Sequence, residues 1–236
     1  MRIVINHLTR MHGGHICTAG VDLQTRRHVR PVLAGEPLPF YLMSQYGGPF
    51  EMARILDLGS PRPTPVPPHI EDHIFVPACA KNVRRACPKE FWKLLDEIAQ
   101  PTLEEIFGDC LRPAGQGAYA AEAGAGKVSL GCLRLQGAAE LFLQDGHRGG
   151  RRLRIQFSAG AVCIEASVTD LRLFAEDHAT PSVAAVRAAN QALRHSRGAI
   201  LGVGLTRPYS PDESQPKRHW LQVNNLHFED DPLWTV

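Results

Sequence analysis

The sequence has little excess charge, few aromatic residues and no long apolar run. The formal net charge is +2 at pH 7, whereas proteins that coat nucleic acid are usually far more basic, so the overall charge neither demands nor excludes a nucleic-acid partner. Aromatic residues make up 7% of the chain, too few for an extensive base-stacking platform. No apolar stretch approaches the roughly 18 residues of a transmembrane helix, and no secretory signal is visible after Arg2. We therefore expect a soluble, cytoplasmic protein without a membrane partner.

Metal-binding patterns are also missing. The chain has six cysteines, but none forms a Cys-x-x-Cys pair, so we expect six reduced thiols, no disulfide and no zinc. His69, His73, Cys79 and Cys87 come closest to a ligand set. The spacing of their two cysteines is not one that zinc sites commonly use.

Catalytic motifs are absent as well. The run Gly124-Ala125-Gly126-Lys127 superficially resembles a phosphate-binding loop, but Ala121 stands at the position of the first required glycine and Val128 at that of the Ser/Thr. Neither G-x-S-x-G nor H-E-x-x-H occurs. The sequence therefore predicts no catalytic residue and no cofactor.

The residues that are abundant favour β-structure. With 21 glycines and 18 prolines, the chain favours turns and short strands. Apolar and β-branched runs predict strands at 2–8, 15–23, 28–33, 52–58, 73–76, 127–135, 140–143, 152–157, 162–168, 171–174, 199–205 and 220–228. Pro31 places the end of the third strand at a sheet edge.

Three helices are predicted between these strands, besides a short one within 37–46. Apolar residues at helical spacing follow Pro88, and a second helix starts at Pro101. The third has Thr180 as N-cap and Pro181 at its first position. The stretch 109–126 is rich in Gly and Ala, which predicts a loop or linker.

Each half thus has about five short strands and some helix, which is the content of an OB-fold barrel, although a sandwich or an SH3-like barrel fits nearly as well. We expect a mainly β protein with two OB-like barrels, residues 1–84 and 126–236. A helical connector and Gly/Ala-rich linker, residues 85–125, joins them.

An internal echo supports two related units. Residues 3–10 read IVINHLTR and residues 200–207 read ILGVGLTR. A loop, then a histidine and an apolar strand follow each run, at His15 and at His219. Paired domains with related hairpins would show such a pattern.

The same residues carry a family resemblance that covers nearly the whole chain. NHLTR…ICTAGVDLQTRRHVRPV resembles the opening of the dual OB-containing domain family, and ILGVGLTRPYS…HWLQVNNLH resembles its closing hairpin. The resemblance implies two OB-like barrels, a role in nucleic-acid binding and no catalytic residues. The aromatic residue common in that family before Val-Arg-Pro is His28 here.

Basic residues form four clusters, which are Arg26/Arg27/Arg30, Lys81/Arg84/Arg85, Arg148/Arg151/Arg152/Arg154 and Lys217/Arg218/His219. Most charge clusters are only solvated faces, but several in loops can combine into a phosphate-binding groove. Tyr209 is expected to be partly exposed and Trp220 largely core. The predicted nucleic-acid-binding residues are Arg10, Arg26, Arg27, Arg30, Arg148, Arg152, Arg154, Arg207, Tyr209, Lys217 and Arg218.

The leading hypothesis is a non-catalytic module that binds single-stranded or structured DNA or RNA. One alternative is a protein-interaction or small-ligand and nucleotide sensor module. Another is a metal-dependent nuclease or nucleotide-processing enzyme built on Asp22, Asp57, Glu71 or Asp72, although nothing in their spacing favours it.

Overall fold

The computed structural model describes residues 1–145, 150–160, 162–211 and 214–234. Two sheets dominate this part of the chain, one from each half. The first is formed by β1 (Arg2–Met11), β2 (His15–Asp22), β3 (His28–Val32), β4 (Leu38–Pro39), β5 (Arg54–Asp57), β6 (Arg62–Pro63), β7 (Asp72–Ile74) and β8 (Lys81–Arg85). Its order is β6-β7-β3-β2-β1-β5-β8, and β4 pairs with β2.

The second sheet is formed by β9 (Ala99–Gln100), β10 (Arg112–Pro113), β11 (Tyr119–Glu122), β12 (Leu130–Arg134), β13 (Ala139–Asp145), β14 (Arg151–Ala159), β15 (Val162–Val168), β16 (Ala199–Leu205) and β17 (Arg218–Phe228). Its order is β13-β14-β15-β17-β16-β12-β9, and β11 pairs with β10 and β17. The two Leu-Thr-Arg strands, β1 and β16, therefore belong to separate sheets, as the echo predicts. The mainly β fold with two OB-like units is confirmed.

Three α-helices lie in the described residues, α1 (Pro88–Ile98), α2 (Leu103–Phe107) and α3 (Val183–His195). Short 3-10 helices occupy Phe40–Leu42, Ser44–Tyr46, Pro77–Cys79, Gly108–Cys110 and Leu171–Leu173. Among the helices of the described residues, none has the length and apolar character needed to cross a bilayer.

The segment 85–125 packs onto both sheets. Phe91 and Leu95 of α1 are fully buried in the first core, whereas Leu103 and Phe107 of α2 lie in the second. Within the stretch for which the sequence predicts a loop or linker, β11 pairs antiparallel with β17.

Three local predictions are wrong. β3 is not an edge strand, because β7 pairs with it in parallel; Arg30 N and Val32 O make the bonds, so the missing N–H of Pro31 is not needed. The predicted strand at 171–174 is a 3-10 helix, capped by the Asp170 carboxylate. The cap of α3 is Ser182, whose Oγ accepts from Ala185 N at 3.3 Å, and not Thr180.

The two halves interlock along β1. The register of β1 against β2 shifts between Ile5 and His7, and β5 pairs only with the part of β1 before this bulge. Beyond the bulge, residues of the second half bond to the edge of β1 that β5 leaves unpaired. Asn225 Oδ1 accepts from Leu8 N at 2.9 Å, and Asn225 Nδ2 donates to Leu8 O at 3.2 Å. Arg10 N donates to Thr169 O at 2.9 Å.

Candidate nucleic-acid interface

The two Leu-Thr-Arg sequences meet at one cavity between the halves. The cavity has a volume of about 860 Å³, and Thr9, Arg10, Thr206 and Arg207 all line it. Apolar residues of the first half and Tyr209 and Gln222 of the second complete its wall. The echo in the sequence therefore marks the two sides of a shared cleft.

Each Leu-Thr-Arg arginine contacts the opposite half of the molecule. The Arg10 guanidinium carbon lies 4.6 Å from the ring centroid of Phe174, in the second half. Arg207 Nη2 donates to Asp72 Oδ2 at 2.5 Å, in the first half. The Arg10 Nε is buried and has no hydrogen-bond partner among the described residues. Arg207 keeps about half of its side chain exposed, so it retains donors for a ligand.

A buried ion network forms the floor of this cavity. Arg30 Nε donates to Asp72 Oδ1 at 2.6 Å, and Arg30 Nη2 contacts His69 Nδ1 at 2.9 Å and Ser129 Oγ at 3.2 Å. Burial, aided by Arg30 and Arg207, lowers the pKa of His69 to about 2, so its imidazole is neutral. Arg30 is itself 5% exposed. Its suggested role as a phosphate ligand is therefore revised, because these partners use its donors to shape the floor.

An aromatic pair lies at the rim of the cavity. Tyr209 is 48% exposed, and its ring centroid is 6.2 Å from that of Trp220 at an interplanar angle of 43°. Trp220 Nε1 donates to Tyr209 O at 3.1 Å. Trp220 is half-buried and not a core residue, because its neighbours Leu221 and His219 point to the opposite, buried side of β17. The expectation of a largely core Trp220 is corrected accordingly.

Arginines of β14 lie near this pair. Leu153 and Ile155 point into the core, so Arg152 and Arg154 share the outer face. Arg154 is ion-paired with Glu165 at 2.8 Å, whereas Arg152 is exposed and forms no ion pair within the described residues. Burial raises the pKa of Tyr209, while Arg152 and Arg154 act to lower it. The charges of both arginines therefore act on the phenol.

The other predicted residues are distributed differently. Arg26 and Arg27 line a second cavity of about 790 Å³, where Arg26 also forms an ion pair with Glu97 at 3.3 Å. Lys217 is exposed and Arg218 half-buried at the start of β17, and the Arg218 backbone pairs with that of Tyr209. Arg148 lies outside the described residues.

The carboxylates that could serve a nuclease have structural donors. In turns, Asp22 accepts two backbone N–H groups and Asp57 accepts one. Glu71 accepts from Ser129 N at 2.7 Å and from Ser129 Oγ at 2.8 Å. Asp72 forms ion pairs with Arg30 and Arg207. These bonds give all four a role in the fold, which weighs against the nuclease alternative.

Two features of the site were not predicted from the sequence, the network around Asp72 and the exposed face of Trp220. One signal for the network was present, because Glu71 and Asp72 directly precede an apolar strand, and buried carboxylates require partners. No sequence signal names the partners Arg30 and Arg207, because they come from distant segments.

Comparison with known proteins supports the fold at the level of the family. No curated protein shows significant similarity to this chain. The family model described as the dual OB-containing domain matches residues 1–226 of the 236-residue chain. The chain therefore belongs to the dual OB-containing domain family.

Proposed function

We propose that this protein is a non-catalytic module that binds single-stranded or structured nucleic acid at the rim of the cleft between its two halves. We propose residues 1–84 and 126–236 as its two OB-like units, joined by residues 85–125. The observation that carries the proposal is the Tyr209–Trp220 pair, which stands beside the Leu-Thr-Arg cavity with Arg152 and Arg154 close to the phenol.

The chemistry of this rim suits a single strand. Aromatic faces stack on bases of any sequence, and arginines bind the phosphates between them. Arg10 and Arg207 line the cavity, the charge of Arg152 acts on the Tyr209 phenol, and Arg218, which follows Lys217, pairs its backbone with that of Tyr209. With a net charge of only +2, attraction depends on this local cluster rather than on the whole surface. Arg26 and Arg27 are candidates for a second stretch of strand at the other cavity.

Binding is tested with fluorescence anisotropy of labelled DNA and RNA oligonucleotides at low salt. Tyr209→Phe keeps the ring and should retain affinity. Tyr209→Ala removes the stacking face and should cost about 1–3 kcal/mol, or roughly 5- to 150-fold in Kd. Arg187→Ala removes an exposed arginine of α3 that lines neither cavity, and should leave Kd unchanged. Equal affinity of the Tyr209→Ala and Tyr209→Phe proteins would argue against the stacking role.

The cavity itself favours a second candidate function, the binding of a small anionic ligand such as a nucleotide. Its volume of about 860 Å³ falls in the range of small-molecule sites, and the half-exposed Arg207 in its wall can pair with an anion. Mononucleotide competition separates the two functions. A strand-binding module gains affinity with oligonucleotide length, whereas a nucleotide sensor binds the monomer as tightly as the oligomer.

A further inference from the structure

Three metal-ligand side chains converge at the buried boundary between the two sheets, away from the rim described above. One ring nitrogen of His7, one of His28 and the Cys132 sulfur all lie within 4.8 Å of one another. His7 and Cys132 are each 1% exposed, and His28 is half-buried. They belong to β1, β3 and β12, so both halves of the chain contribute to the cluster.

The cluster contains polar atoms without partners. His7 Nε2 and Asn6 Oδ1 are both buried and have no hydrogen-bond partner among the described residues. Native proteins leave few buried polar atoms unsatisfied, and a bound cation would satisfy both of these. The Asn6 amide nitrogen now contacts His28 Nε2 at 3.1 Å and Cys132 Sγ at 3.5 Å. Rotating the Asn6 amide by half a turn would direct its partnerless oxygen toward His28 and Cys132.

The contacts around His7 allow it to bind a metal through Nε2. His7 Nδ1 contacts the Asn224 amide nitrogen at 3.1 Å, and Asn224 Oδ1 accepts from Gln222 Nε2 at 2.7 Å. If both amides turned over, Asn224 would accept from Nδ1, and Nε2 would be free to bind a metal.

We propose that His7, His28 and Cys132 bind one thiophilic transition-metal ion, Zn²⁺ or Cu⁺. Two imidazoles and a thiolate match the preferences of both ions. Binding forms a metal–sulfur bond as the Cys132 S–H bond breaks, and the proton passes to solvent without any redox change. The second cavity, of about 790 Å³, is lined by His28 and Cys132 and provides access. This inference departs from the expectation of six metal-free thiols.

The test loads the full chain with Co²⁺ as an optical probe, and separately with Zn²⁺ or, without oxygen, with Cu⁺. We expect one equivalent of Co²⁺ with thiolate-to-metal charge-transfer absorption, and one equivalent of Zn²⁺ or Cu⁺ retained after desalting. The ion that stays bound after desalting, Zn²⁺ or Cu⁺, identifies the metal that the site prefers. Cys132→Ser should abolish the charge-transfer band, while the matched Cys87→Ser, at an exposed thiol, should keep it.

A second variant keeps the proposal testable if Cys132→Ser does not fold. Circular dichroism shows whether each variant is folded. His28→Gln changes a half-buried ring and should weaken metal retention at least tenfold with the thiol still present. Absence of the band and of retained metal in the native protein would overturn the proposal. An unchanged band in a folded Cys132→Ser protein, or unchanged retention in His28→Gln, would do so as well.

Discussion

The Asn225 amide bridges the two halves, and its removal should destabilise the contact between them. Its oxygen and nitrogen bond both backbone groups of Leu8 in a buried position. Asn225→Ala leaves one N–H and one C=O unsatisfied. Each costs about 1–3 kcal/mol when buried, so we expect a loss of about 2–6 kcal/mol in the free energy of unfolding. That is a large part of the roughly 5–15 kcal/mol typical of folded proteins.

The chain offers a matched control in Asn190. Its amide makes the same two bonds, to Leu141 N at 2.8 Å and to Leu141 O at 2.9 Å, but it joins α3 to β13 within the second half. Asn190→Ala should also destabilise, without affecting the boundary between the halves.

Urea unfolding of the three proteins, followed by circular dichroism and by tryptophan fluorescence, measures both effects. For Asn225→Ala we expect a lower midpoint and a separation of the two probes, because the halves no longer unfold together. For Asn190→Ala the probes should still coincide. A free energy within about 0.5 kcal/mol of the native value for Asn225→Ala, which is typical of surface substitutions, would refute the bridging role.

Two further predictions concern buried charge. Asp72→Asn strips the buried Arg30 of its counter-ion and should cost about 3–5 kcal/mol in urea unfolding. Asp96→Asn, at an exposed pair with Arg134, should leave the midpoint in place, and equal midpoints of the two variants would contradict the network. Burial of the imidazole, with a smaller effect of the nearby Arg172, lowers the pKa of His227 to about 3. Between about pH 6.5 and pH 3, the unfolded chain therefore carries a proton on this histidine, whereas the folded chain does not. The contribution of His227 to the free energy of unfolding is therefore complete above about pH 6.5 and is lost as the pH falls toward about 3. His227→Gln should reduce the slope of the free energy of unfolding against pH in this range by about 1.4 kcal/mol per pH unit. An unchanged slope would contradict the neutral, buried imidazole.

Local pattern predicted the strands well. The β-branched run of β1 and the apolar run of β16 were found with their Leu-Thr-Arg ends, because alternation and β-propensity are properties of contiguous residues. The echo between them also predicted that they belong to separate sheets. The same alternation of side chains puts Arg152 and Arg154 on one face of β14.

Contacts between the halves were beyond the sequence. Nothing local distinguishes Asn225, which bridges the halves, from Asn224 beside it. His7 and Cys132 are 125 residues apart in sequence, so no spacing rule connects them. Trp220 illustrates a different limit, because hydrophobicity alone suggests burial, whereas its outer position on β17 leaves it beside Tyr209.

Salt dependence of oligonucleotide binding tests the central claim most directly. The logarithm of the binding constant should fall linearly with the logarithm of KCl concentration, by about 0.7 for each phosphate contact on a single strand. Arg152→Ala should weaken binding and lower the magnitude of this slope by about 0.7, while Arg187→Ala leaves both unchanged. Absence of binding to any DNA or RNA at low salt, or an unaltered slope in a folded Arg152→Ala protein, would contradict the proposed interface.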